Sequence, residues 1–105
     1  MTLEELKALL DETGLSVGYH QWAVGQVPKL PYILYYAKSD NNFFADNEVY
    51  LSSDEIVIEL YSNLKNVLEE QKLEKILNDK KIPFTWYESY LNSERMNLKA
   101  YEITI

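Results

Sequence analysis

Cysteine is absent from this chain, and with it every disulfide framework, thiolate metal site and Cys-His dyad. A single histidine, His20, leaves any metal site to be built from carboxylates and amides with no ligand-spacing signature. Only three glycines occur, Gly14, Gly18 and Gly25, spread too far apart for a phosphate-cradling loop or a dinucleotide fingerprint. Basic residues are few and scattered, with only Lys80-Lys81 adjacent, against a formal net charge of −7. No basic stripe can neutralise a row of phosphates, so stable nucleic-acid binding is not expected. No apolar run approaches the ~20 residues of a membrane span, and Met1-Thr2-Leu3-Glu4-Glu5 places acid where a signal peptide needs base. The expectation is one soluble cytoplasmic domain over residues 1–105, held together by packing alone.

What the chain has is hydrophobic residues (47%) and aromatics: nine tyrosines, three phenylalanines and two tryptophans in 105 residues. Thr2 with Glu5 forms a capping box, and Leu3, Leu6, Leu9 and Leu10 make a narrow apolar stripe running to Gly14, the expected C-cap. Leu15, Val17 and Tyr19 then alternate with Ser16, Gly18 and His20, a strand period continuing towards Trp22 and Val24, with Gly18 marking a bulge. Pro28 and Pro31 make residues 25–31 an extended connection to a strand at Tyr32-Ile33-Leu34-Tyr35-Tyr36. Glu48 to Ser52 reads as the next strand. Glu55 to Tyr61 follows, with Ile56, Ile58 and Leu60 on one face and Glu55 and Glu59 on the other around Val57 and Tyr61.

Asn66 with Glu69 repeats the capping signal, opening a helix with Leu73, Ile76 and Leu77 inward, Lys80-Lys81 at its end and Pro83 as the stop. Leu68 lies off that face: either the first turn is irregular or Leu68 meets another molecule. Residues 84–91 read as a strand, Asn92-Ser93-Glu94-Arg95 as a turn, and Tyr101, Ile103 and Ile105 as the inward positions of a last strand. The order is α-β-β-β-β-α-β-β, an α+β class: a mainly antiparallel sheet with one wet face and two helices packed on it.

Chemistry is sparse. A Ser-His-Asp triad is formally available, yet no Gly-x-Ser-x-Gly occurs, and His20 beside Tyr19 and Trp22 reads more simply as a strand residue. Asp40, Asp46 and Glu48 with Asn41, Asn42 and Asn47 lack the mid-loop glycine and closing glutamate of a calcium loop, and turn chemistry explains them better. No catalytic, cofactor or metal residue is assigned. Tyr35, Tyr36, Tyr87 and Tyr90 read first as sheet packing. Phe43 and Phe44, set among Asn, Asp and Ala, read instead as an exposed hairpin tip, because no strand period absorbs both rings.

Several segments carry a family likeness: Tyr19-His20-Gln21-Trp22 into residues 24–33, Asn41-Asn42-Phe43-Phe44-Ala45-Asp46-Asn47, Val49-Tyr50, Glu59-Leu60-Tyr61, Ile82-Pro83, and Tyr87-Glu88-Ser89-Tyr90. Together they resemble small proteins encoded in the morphogenesis clusters of tailed phages and prophages of low-GC Gram-positive bacteria. The element order is similar to that of tail-terminator and tail-completion proteins, small α+β domains that assemble as a hexameric ring between tail tube and head. The resemblance implies a non-enzymatic, cofactor-free structural protein, made in the host cytoplasm and built into the virion. Its implied partners are its own copies, the tail-tube protein and the head connector. Phe43 and Phe44 would make the subunit contact, with Trp22 and Tyr50 as partners, and an acidic lumen would let DNA pass. The chain is shorter than many terminators, with little room for the long insertions some carry.

Two other readings compete. One is a small acidic inhibitor from a mobile element that mimics nucleic acid, which needs Glu4, Glu5, Asp11, Asp54, Glu59, Glu69, Glu70 and Glu88 on one face although they fall on different elements. The other is an enzyme, which needs a closed pocket gathering His20 with Asp or Glu.

Overall fold

The computed structural model describes residues 1–38 and 55–105. They form two helices, α1 (Leu3–Asp11) and α2 (Val67–Asp79), and five strands: β1 (Ser16–Tyr19), β2 (Tyr32–Ala37), β3 (Glu55–Ser62), β4 (Thr85–Leu91) and β5 (Met96–Thr104). The expected strand at Glu48–Ser52 lies outside the described residues, as do Phe43, Phe44 and Tyr50. The strands make one sheet in the order β1-β2-β3-β5-β4. Three of its pairings are antiparallel, and β1 runs parallel to β2. The class is α+β, with a mixed, mostly antiparallel sheet.

Local chemistry explains the helix ends. The Thr2 hydroxyl accepts from Glu5 N–H at 3.0 Å, and Glu5 Oε1 accepts from Thr2 N–H at 2.8 Å, so two otherwise orphaned donors are satisfied at once. Glu12 is the C-cap of α1, and Gly14 follows with φ +81, which turns the chain into β1 at little steric cost. At the start of α2 only half of the expected box forms: Asn66 Oδ1 accepts from Glu69 N–H at 3.2 Å, while the Glu69 side chain pairs with Lys72.

Leu6, Leu9 and Leu10 of α1 and Leu73 and Leu77 of α2 share one core with Ile33, Tyr35, Ile56, Ile58, Leu60, Tyr101 and Ile103. Both helices therefore cover the same face of the sheet, two layers around one apolar seam. Lys72 Nζ ties them further by donating to the Thr13 carbonyl at 3.1 Å, just beyond α1.

Three expectations are corrected. Gly18 marks no bulge, because the β1–β2 register is continuous from Ser16↔Tyr32 to Tyr19↔Tyr35. Its lack of a side chain serves the Trp22 ring, which lies where a Cβ on Gly18 would stand 2.6–3.0 Å from ring carbons. Strand β1 also does not run on to Trp22 and Val24: His20 adopts φ 71, ending the strand after its N–H donates to the Tyr35 carbonyl at 2.8 Å. Nor is the second face of the sheet simply wet. Tyr32, Leu34, Val57 and Ala100 are buried there, with Tyr36 and Tyr61 half-buried beside them.

Candidate functional site

Among the described residues strand β4 is an edge of the sheet, bonded on one side to β5 and unpaired on the other. Its residues are exposed from Thr85 to Tyr90, with Leu91 half-buried. Trp86, Tyr87 and Tyr90 have about half their surface in solvent, at 53%, 49% and 51%. Trp86 and Tyr90 point to the helix-covered face and Tyr87 to the other, as their partners Tyr101, Asn97 and Ala100 on β5 require. A long edge strand carrying large rings on both sides offers unpaired backbone groups together with apolar area, the combination that natural proteins usually blunt.

Strand β4 is held in place from the helix side by a network of charges. Lys99 on β5 is 8% exposed. Its Nζ lies 2.9 Å from Glu74 and 3.3 Å from Glu70, both on α2, and 4.2 Å from the centroid of the Trp86 ring. Such a cation over an indole orients the ring as well as stabilising it. Lys65 extends the chain of charges, pairing with Glu70 at 3.0 Å and closely with Glu88, the one acid of β4. Tyr101 donates to Glu74 Oε2 at 2.8 Å. Burial alone would raise the Glu74 carboxyl, but hydrogen bonds from Lys99 and Tyr101 and the charges of Lys99 and Lys65 outweigh it and hold it below the usual range. Burial, then the bond to Glu74, pushes the Tyr101 phenol well up. A polar hollow of about 210 Å³ between Ser62, Lys65, Glu88, Tyr90, Asn97 and Lys99 opens beside this network, and both its lysines are already bound to carboxylates.

The sequence-derived candidates fall in different places. Trp22 stands edge-on to Tyr32, with centroids 5.4 Å apart, and covers Gly18 on its own sheet, half-buried. His20 is exposed, its ring 5.5 Å from that of Tyr36, and among the described residues it makes no ion pair and no side-chain hydrogen bond, so no triad is assembled around it. No group of three or more His, Asp or Glu among the described residues could hold a metal ion, and no described helix is long and apolar enough to cross a membrane. Leu68 is 73% exposed beside Leu64 and Val67 at the start of α2, away from the buried Leu73 and Leu77. The acidic residues are dispersed: Asp11, Glu69 and Asp79 pair with lysines on their own helices, and Glu55 and Glu102 share Lys38 on the other face.

Sequence reasoning placed Tyr87 and Tyr90 as packing and passed over Trp86, Lys99 and Lys65. The signal was present in residues 85–91, where aromatics fall on both parities and neither face is consistently apolar, the pattern of a strand with no buried side. Compared with known proteins, the chain matches no protein-family model and no curated protein.

Proposed function

We propose that this chain is a structural assembly protein rather than an enzyme, a tail terminator or other head–tail joining component that acts as an oligomeric ring. The observation that carries this reading is the exposed aromatic strand β4, at the edge of the described sheet and braced through Trp86 and Glu88 by Lys99 and Lys65. Among the described residues the two outermost strands, β4 and β1, are different, so pairing of β4 with the β1 side of a second copy is head-to-tail. Such heterologous contacts close into a ring when the rotation per subunit allows. Phe43, Phe44 and Tyr50, between β2 and β3, remain candidate contacts to the next subunit or to tail proteins, and Trp22 braces the sheet near β1.

The phage assignment rests on the resemblance of residues 19–22, 24–33, 41–47, 49–50, 59–61, 82–83 and 87–90 to small morphogenesis proteins. Native mass spectrometry across a concentration series, alone and with the tail-tube protein, tests it: ring-sized species in at least one condition are expected. A strict monomer throughout would overturn the reading.

A further inference from the structure

The sheet face opposite the helices has a carboxylate at its centre. Strand register sets Gly18, Leu34, Glu59, Ala100 and Tyr87 in one row across all five strands. Tyr61 lies two residues along β3 from Glu59, Tyr32 and Tyr36 lie diagonally on β2, and Tyr87 stands beyond the small Ala100. Glu59 is thus surrounded by four tyrosines, with only a methyl group between it and the outermost. The Tyr61 hydroxyl donates to Glu59 Oε1 at 2.8 Å. The Tyr36 phenol is also within hydrogen-bonding reach of Glu59, and a carboxylate offers about four acceptor positions, so about half of its capacity is left.

No cation of this chain neutralises it. Lys38, on the same face, leans instead to Glu55 and Glu102 at 3.8 and 3.4 Å. Among the described residues no lysine, arginine or histidine reaches Glu59, and residues 39–54 contain none of the three. The charge is felt by the rings around it: the Tyr32, Tyr36 and Tyr61 phenols are each raised, first by burial and then by Glu59. They stay protonated, as neutral rings and donors. A half-buried carboxylate without a counter-ion, ringed by tyrosines, is complementary to a weakly hydrated cation.

We propose that this face receives an arginine side chain of a partner protein, its guanidinium set against the tyrosine rings and paired with Glu59. Arginine fits better than lysine because its planar, weakly hydrated head can stack on a ring and fork onto a carboxylate together. A site of this kind is independent of whether the chain assembles into a ring.

Nuclear magnetic resonance titration of the 15N-labelled chain with butylguanidinium, and separately with butylammonium, tests it. Amide shifts should concentrate on residues 32–36, 57–61, 87 and 100, with tighter binding of the guanidinium. Glu59→Gln should weaken that binding roughly tenfold, and so should Tyr87→Ala to a smaller degree, a substitution at an exposed ring that leaves the core untouched. Absence of shifts on this face, or unchanged affinity in both variants, would overturn the proposal. Equal binding of butylammonium would overturn the assignment to arginine.

Discussion

Replacing Lys99 with methionine should destabilise the fold far more than its single charge would on the surface. Methionine keeps the length of the stem and its packing, so the change isolates the ammonium group. Lys99 and Glu70 side chains are each 10% exposed and Glu74 28%, so two carboxylates lose a largely buried counter-ion at once. Breaking a buried pair from one side costs about 3–5 kcal/mol. Glu70 keeps Lys65 at 3.0 Å and Glu74 keeps the Tyr101 hydroxyl, which lowers the expectation to about 2–3 kcal/mol. For a domain of this size that is a fall of about 10–20 °C in Tm. Thermal unfolding followed by far-ultraviolet circular dichroism reads it. Adding Glu74→Gln to Lys99→Met should recover part of the loss, since an uncompensated charge is then removed. A Tm within 2 °C of the parent, or no coupling in the double variant, would refute the view that Lys99 is the electrostatic centre of the α2–β5 contact.

The same network predicts a pH response. The Glu74 carboxyl lies below its ordinary value of 4.5 in the folded chain, so its stabilising contribution is complete above about pH 4.5 and is lost as pH falls through the lowered value. Urea unfolding from pH 6 to 3 should show this slope, reduced in Glu74→Gln. Gly18→Ala places a Cβ 2.6 Å from the Trp22 ring, so Trp22 must swing away at a cost of about 1–2 kcal/mol; its fluorescence should shift to the red, and the cost should nearly vanish in a Trp22→Ala background. Thr2→Ala removes one half of the α1 capping box and should cost about 1 kcal/mol in the same unfolding assay.

The pattern in the chain foretold both helices, three of the five described strands closely and the second half of β5, and the helix-facing set Leu6, Leu9, Leu10, Ile56, Ile58, Leu60, Leu73 and Leu77, because period and caps are local properties. The parallel pairing of β1 with β2 was not legible, since residues 20–31 cross back without a helix to mark the crossover. Trp22 misled for a related reason: its period matched a strand, while a left-handed His20 turned the chain over Gly18. Lys99 looked like one more surface lysine because its partners Glu70 and Glu74 are some 25–30 residues away, a distance only packing can close. Glu59 was placed correctly on the face opposite Ile56, Ile58 and Leu60, yet its ring of tyrosines depends on the registers of β2, β3, β5 and β4 together. Phe43, Phe44 and Tyr50, the residues that stood out first, lie outside the described residues, whereas the described aromatic rings with about half their surface exposed are Trp86, Tyr87 and Tyr90.

Assembly through β4 is most directly tested by hydrogen–deuterium exchange on the protein before and after it forms a multimer, alone or on a tail tube. Backbone amides of residues 85–91 should gain protection, and the charged pair Trp86→Lys with Tyr90→Lys should abolish both that protection and the multimer while the monomer stays folded. A multimer in which exchange along β4 is unchanged, or one that the double variant still forms, would contradict the account.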